Sequence, residues 1–222
     1  MKAKGDLNVI VTGVGGQGNV LLTQLIGQVL VRAGYHVTIG ETYGSSQRGG
    51  SVMSHLRLSR QAPYGPLVPY GRADVILGLE PMETLRVLGQ YGNRGVTVVT
   101  NSRPSYPLAV ASGMASYPTI EEIVDALERL SSRAWLIDAT DIALELGAPI
   151  VANIVMLGAL VGAGLLPLTT EEFEMGFRES LSNERLDLNL KAFRRGVKEI
   201  EAGAMTDRPA AEQLAKKSGP AT

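Results

Sequence analysis

Short apolar runs alternate with longer stretches in which apolar residues recur every three or four positions. Val75-Ile76-Leu77 and Val96-Thr97-Val98-Val99 are runs of the first kind, and together the short runs predict strands at 7–12, 36–41, 51–59, 74–79, 95–100 and 134–138. The helical spacing predicts helices at 18–34, 82–91, 119–131, 139–147, 152–164, 169–182 and 184–201. Thr169-Thr170-Glu171-Glu172, directly after Pro167 and Leu168, reads as a helix start with acid in its first turn. Near-continuous apolar strands between helices indicate a sheet covered on both faces. The expected fold class is therefore α/β: a Rossmann-like three-layer fold with a mostly parallel sheet and C-terminal helices.

Two helical segments carry further information. In the last one, Leu186, Leu190, Phe193, Val197 and Ile200 form an apolar stripe, with Lys191, Arg194, Arg195 and Lys198 between them. That pattern suits either a helix docked on its own domain with a solvated basic face, or a partner surface. The uncharged stretch 146–168 is long enough to span a bilayer, which takes about 20 residues. Pro149, Pro167 and four glycines interrupt it, however, and no Lys or Arg flanks it closely. A buried helix near 152–164, packed closely through its small residues, is the expectation, and no membrane partner is expected. Residues 1–202 read as a single domain and 203–222 as a flexible tail poor in apolar residues.

Composition narrows the chemistry. With 222 residues the chain can bury a substantial core, and its net charge of −1 gives no electrostatic reason to expect nucleic acid. It has no cysteine, which excludes disulfides and leaves no thiolates for zinc or an iron–sulfur cluster. A cytoplasmic location is compatible with that and with an N-terminus lacking a long apolar stretch before the first strand.

Gly13-Val14-Gly15-Gly16-Gln17-Gly18 directly follows the apolar run 7–11 and opens a helix. Such a strand–turn–helix unit aims free N–H groups and the positive end of the helix dipole at an incoming anion. Gly13, Gly15 and Gly18 match the dinucleotide fingerprint, and Glu41 stands near the distance expected for a ribose-binding acid. An independent NAD(P)-binding oxidoreductase is one reading of those residues. A second loop, Glu41 to Ser51, leaves the second strand and enters the third. Within it Ser45, Ser46, Gln47, Arg48, Gly49 and Gly50 offer a guanidinium, hydroxyls and bare N–H groups to a phosphate or carboxylate, or serve as a polar crossover with tight turns. Loops at strand carboxyl ends form the crevice of open α/β sheets, so the two loops are expected to be neighbours.

Little else carries chemistry. Alternation places His55 and Arg57 on the strand face opposite Val52, Leu56 and Leu58, which suits a structural or interface histidine better than a base. No Walker lysine follows Gly18, no Gly-x-Ser-x-Gly elbow is present, and two histidines leave little scope for a triad. Glu121-Glu122 and Asp138 read as helix-start and strand-end acids. No catalytic residue and no metal ligand is assigned to this chain.

Gly13–Gly18, Glu41-Thr42-Tyr43-Gly44 with Gln47-Arg48-Gly49-Gly50-Ser51-Val52, Asn153–Ala159 with Leu165-Leu166-Pro167, and Asn189–Phe193 together resemble the gamma-type domain of 2-oxoacid:ferredoxin oxidoreductases. The similarity runs in order over about residues 7–200, and within the family it is greatest to the beta subunits of indolepyruvate ferredoxin oxidoreductases. The resemblance implies a large partner subunit carrying thiamine diphosphate and 4Fe-4S clusters. The assembled enzyme would decarboxylate an aryl 2-oxoacid, reduce ferredoxin and form an acyl-CoA, and this chain would not act alone. Tyr43, where the family often has histidine, and Ser45-Ser46 depart from the pattern. Pyruvate, 2-oxoglutarate, branched-chain and phenylglyoxylate enzymes share the domain, and a binding module without an oxidoreductase partner is the remaining alternative. Gly13, Gly15, Gly16, Gln17 and Gly18, with the Ser45–Gly50 loop, are the candidate contacts for coenzyme A or for the partner subunit.

Overall fold

The computed structural model describes residues 6–44, 50–106, 110, 112–114, 116–203 and 205–206. Among these residues seven strands form one sheet in the order β2-β3-β1-β4-β5-β6-β7. They are β1 (Asp6–Val14), β2 (His36–Tyr43), β3 (Ser51–Ser59), β4 (Val75–Gly78), β5 (Thr97–Asn101), β6 (Arg133–Ile137) and β7 (Met205–Thr206). The helices are α1 (Asn19–Arg32), α2 (Pro81–Tyr91), α3 (Ile120–Leu130), α4 (Ala139–Glu145), α5 (Ala152–Gly162), α6 (Thr170–Ser180) and α7 (Asn183–Glu201).

Alternation along the strands builds two cores. Val9, Val11, Leu56, Leu58, Val75, Leu77 and Val99 face α1 and α4–α7, whereas Ile10, Met53, Ile76 and Val98 face α2, α3 and the 60–73 segment. The three-layer α/β arrangement therefore stands. β1, β4, β5 and β6 pair in parallel, and β2 runs in the same direction. β3 opposes them because the link from Tyr43 to Ser51 is too short for a parallel crossover, which takes a dozen or more residues. β7 pairs antiparallel with β6, so residues 205 and 206, expected in the tail, belong to the sheet; residues from 207 onward lie outside the described ones.

Two expectations about helices can be checked by contact. α5 is 11 residues long, about 16 Å at 1.5 Å per residue, against the roughly 30 Å of a bilayer core. No helix among the described residues is long and apolar enough to cross a membrane. α5 is held through small residues, as the stretch predicts. A Cβ on Gly158 would overlap the Phe193 carbonyl oxygen, one on Gly196 would overlap that of Val155, and one on Gly162 would sit 3.0 Å from the Val197 Cα. The backbones of α5 and α7 are thus in direct contact.

α7 docks on its own domain. Leu190 and Phe193 are buried, while Leu186, Val197 and Ile200 pack against the same core. Arg194 is bound to both carboxylate oxygens of Glu174 (2.6 and 2.5 Å), and Arg195 to Glu145 at 2.8 Å. Lys191 and Lys198 remain exposed. The acids assigned to helix starts hold: Thr119 with Glu122 and Thr169 with Glu172 form reciprocal capping boxes at α3 and α6.

Candidate functional site

The site forms where the chain leaves β1 and β4 for opposite faces of the sheet, α1 covering one and α2 the other. Such a switch point opens a crevice at the strand carboxyl ends. The glycine turn meets the end of the second loop there, at Gly50 and Ser51. The Gly15 N–H donates to the Gly50 carbonyl at 2.8 Å, and Val14 pairs with Ser51 at the end of the β1–β3 ladder. Asn19 and Thr12 both donate to the Val52 carbonyl, at 3.2 and 3.3 Å. Ser45, Ser46, Gln47, Arg48 and Gly49 lie outside the described residues.

The glycine turn is shaped by the chain's own amides. Gln17 Oε1 accepts from the Val14 N–H at 2.8 Å, and Gln17 Nε2 donates to the Leu79 carbonyl at 3.3 Å. Its Oε1 would lie 2.5 Å from a Cβ on Gly13, and Asn153 Nδ2 would lie 2.5 Å from a Cβ on Gly18. Gly18, the N-cap of α1, sits at φ 83°, and Gly16 at φ 104°, both in the left-handed region that favours glycine. The glycines thus let Gln17 and Asn153 close over the turn. The N-cap of α1 has no side-chain partner and its first turn no acid, so its end remains electropositive.

Beside the turn lies a cavity of about 460 Å³. It is lined by Gly16, Gln17, Gly18 and Leu21 from the turn and α1, by Leu79, Asn101 and Thr140 after β4, β5 and β6, and by Pro149, Ile150, Ala152, Asn153 and Met156. None of these side chains is ionisable. Leu21 and Ile150 are 71% and 82% exposed, placing two large apolar side chains at the rim. Asn101, only 3% exposed, donates from Nδ2 to the Leu79 carbonyl at 3.3 Å and to Thr140 Oγ1 at 2.9 Å. Its buried Oδ1 has no hydrogen-bond partner among the described residues.

Glu80, 1% exposed, follows β4 on the other face. One of its oxygens caps α2 by accepting from the Glu83 N–H at 2.7 Å. The other accepts from Tyr117 Oη and from the Ser105 N–H at 3.3 Å, which ties both residues to the segment just past β4. Burial and the neighbouring carboxylate push the Tyr117 hydroxyl upward, so it stays a donor.

Glu41 does occupy the expected end of β2, but its Oε2 accepts from Ser54 Oγ at 2.5 Å and its Oε1 is buried without a partner among the described residues. Burial raises its pKa above the usual carboxylate value, with the Ser54 hydrogen bond opposing. A folded pKa above the unfolded one means the folded state holds more protons, so stability is lost as pH rises through that window. Glu41→Gln, which keeps an acceptor for Ser54, is expected to remove that slope: more stable than wild type at neutral pH, with the gain vanishing at acid pH, as measured by denaturant midpoints.

His55, 1% exposed, lies on the face opposite Leu56 and Leu58, as the alternation requires. Its Nδ1 accepts from the Val68 N–H at 3.2 Å and its ring meets Tyr91 edge-on at 5.3 Å. Burial lowers its pKa, and it serves as a neutral structural residue beneath the 60–73 segment.

The pyruvate ferredoxin/flavodoxin oxidoreductase family matches residues 8–199, nearly the whole described chain and both loops of the crevice. The chain belongs to that family. It is 42% identical over 194 residues to the indolepyruvate oxidoreductase subunit IorB of Pyrococcus horikoshii, covering 87% of this chain and 95% of that one. Identity to IorB of Thermococcus kodakarensis is 40% over 194 residues, again 87% of this chain and 95% of that one. The 2-oxoglutarate:ferredoxin oxidoreductase of Magnetococcus marinus, solved with 2-oxoglutarate, coenzyme A and succinyl-CoA bound, aligns with a TM-score of 0.67 at 24% identity, over 90% of this chain and 32% of that one. That last likeness is one of fold.

Family membership agrees with the motifs that carry the resemblance. Asn101, Thr140, Asn153 and Glu80 were not singled out as site residues from sequence. Glu80 and Asn101 stand at or just past the carboxyl ends of β4 and β5, which is the signal that points to them. Asn153 lies within a matching motif but carries no chemistry by itself.

Proposed function

We propose that this chain is the small subunit of a thiamine diphosphate- and iron–sulfur-dependent 2-oxoacid:ferredoxin oxidoreductase acting on aryl 2-oxoacids such as indolepyruvate. The observation that carries the reading is the 42% identity to an indolepyruvate oxidoreductase subunit along 87% of the chain. The reaction joins a 2-oxoacid to coenzyme A, releases CO2 and passes two electrons to ferredoxin. Thiamine diphosphate supplies the electron sink for decarboxylation. Thiolate-held clusters need cysteines and this chain has none, so the clusters fall to the large subunit, as does the thiamine. The assembly is cytoplasmic.

The chain's own part is to bind and to exclude water. The Gly13–Gly18 turn borders the coenzyme A entry with the positive end of α1 toward its phosphates, and Arg48 is the cation that the sequence offers to them. Leu21 and Ile150, exposed at the cavity rim, cover apolar surface of the large subunit. The cavity side chains are amides, a hydroxyl and apolar groups, which position a ligand but do not transfer protons at neutral pH.

Arg48→Ala in the assembled complex is expected to raise the KM for coenzyme A about tenfold or more, the usual consequence of losing a charge-assisted bond. The KM for the 2-oxoacid and the kcat at saturating coenzyme A are expected to stay within about twofold. An unchanged KM for coenzyme A with intact assembly would remove coenzyme A from the role of this loop.

A further inference from the structure

β2 is an open edge. Among the described residues no strand pairs with its outer side, whereas the opposite edge of the sheet ends in β7, only two residues long. The direction of its backbone groups follows from its inner neighbour. The Gly44 N–H donates to the Ser51 carbonyl at 2.8 Å, which continues the β2–β3 register with a hydrogen-bonded pair. Bonded and non-bonded pairs alternate in an antiparallel ladder, so His36, Thr38, Gly40 and Thr42 bond to β3. The N–H and C=O groups of Val37, Ile39, Glu41 and Tyr43 therefore point out of the sheet. Natural edges are usually blunted by lysine, proline or a bulge. β2 has none of these: its eight residues keep one register with β3, and its one acid, Glu41, is turned to Ser54. Both flanks of the edge are uncharged as well. On one face α1 has no charged residue from Asn19 to Val31, and it leaves Gln24, Gln28 and Val31 exposed along a groove shared with Val37 and Ile39. Gly27 sets that helix close to the strand, since a Cβ there would lie 3.0 Å from Ile39 Cδ1. Arg32, where the helix ends, is held by Glu179 at 3.2 Å. On the other face the Pro66 carbonyl oxygen lies over Gly40, 2.5 Å from where a Cβ would stand, and the neighbouring Leu67 is exposed.

We propose that β2 is the two-fold interface of a dimer of this chain, joining the sheets of two copies edge to edge. A row of groups that both donate and accept is complemented by an extended strand, and β2 supplies its own complement when it runs antiparallel to a second β2. The register that uses all four outward residues sets Val37 opposite the second copy's Tyr43 and Ile39 opposite its Glu41, with Gly40 on the axis. It forms about eight N–H···O bonds, two for each bonded pair. Glu41 then faces an isoleucine and not its own copy, so no like charges of β2 stand opposite one another. The uncharged flanks give a second copy nothing to repel and a foreign chain no charge to select. Such a pair also closes, because the β7 edges left outside are too short to continue the sheet. The interface lies at the sheet edge and is independent of the substrate assigned above.

The test is the mass of the full chain in solution, read together with amide exchange. Sedimentation equilibrium at micromolar concentration is expected to give twice the chain mass of 23.6 kDa. In the dimer the amides of Val37, Ile39, Glu41 and Tyr43 are expected to be protected, and dilution to the monomer is expected to quicken their exchange about tenfold or more while the β3-bonded set stays slow. Ile39→Pro removes an outward N–H that β3 does not use, and Val31→Lys places a cation in the groove; each is expected to be folded and monomeric. Leu130→Lys, at an exposed leucine of α3, is expected to remain a dimer. A monomeric wild type overturns the proposal, as does a dimer whose outward amides exchange freely. So does a dimer that persists in folded Ile39→Pro, or in Val31→Lys where the proline variant does not fold. Loss of the dimer in Leu130→Lys as well signals unspecific association and overturns it. Protection of the outward amides in a monomer assigns the edge to another segment of this chain, which also overturns it. Protection that appears only with the large subunit, in an assembly holding one copy of this chain, does the same, because the occupant is then a strand of that subunit.

Discussion

Replacing Gly196 or Gly158 by valine is expected to destabilise the chain by at least about 3 kcal/mol and to lower its thermal midpoint by roughly 6–12 °C. The new Cβ at either position overlaps a backbone carbonyl of the facing helix, Val155 in one case and Phe193 in the other, and a carbonyl within a helix cannot turn aside as a flexible side chain can. α5 and α7 would have to separate. That separation exposes Leu160, Phe193 and the Phe173–Phe177 cluster packed against Phe193 at ring distances of 6.3 and 5.1 Å. Gly89→Ala in α2 is the matched control. A Cβ there meets nothing within 4 Å, and alanine gains about 0.5–1 kcal/mol of helix propensity over glycine. Thermal unfolding followed by circular dichroism separates the two outcomes. A fall of less than about 2 °C in both valine variants would show that the α5–α7 crossing is not the close one described.

Glu80→Leu has the second largest expected effect, about 3 kcal/mol. One carboxylate takes the N-cap bond of α2 and two further donors, and a leucine leaves the Glu83 N–H, the Ser105 N–H and the Tyr117 hydroxyl without their acceptor. Part of the loss is local. Amide exchange should quicken at Ser105 and in the first turn of α2 more than in β1 or β4, which keep their ladders. Glu80→Gln, which keeps one acceptor oxygen, should lose less. Uniform quickening across the sheet in Glu80→Leu would mean that the residue supports the whole fold and not these local contacts.

Much of the architecture was legible because it rests on periodic or local signals. Alternation gave the strand faces, down to His55 opposite Leu56, and the apolar stripe of Leu186 to Ile200 gave the docked face of α7. Glycines at 158 and 162 within an apolar run announced a closely packed helix, and the crevice rule brought Gly15 beside Gly50. β7 was missed because two residues carry no periodicity, and their strand exists only through pairing with β6. Asn101 and Glu80 were missed as site residues for a different reason. Their roles depend on partners far along the chain, Thr140 and Tyr117, that only the folded sheet brings together. The dinucleotide fingerprint was read correctly as a turn, yet its ligand space is narrowed by two side chains outside the glycine pattern, Gln17 and Asn153.

The central claim is that this chain completes another subunit's active site. It is tested by measuring coenzyme A-dependent 2-oxoacid oxidation, with ferredoxin as acceptor, for the large subunit alone, this chain alone and the two combined. The account predicts activity only for the combination, and no saturable NAD(H) binding by this chain. Full activity with the same KM for coenzyme A from the large subunit alone, or NAD(H)-dependent turnover by this chain alone, would contradict it.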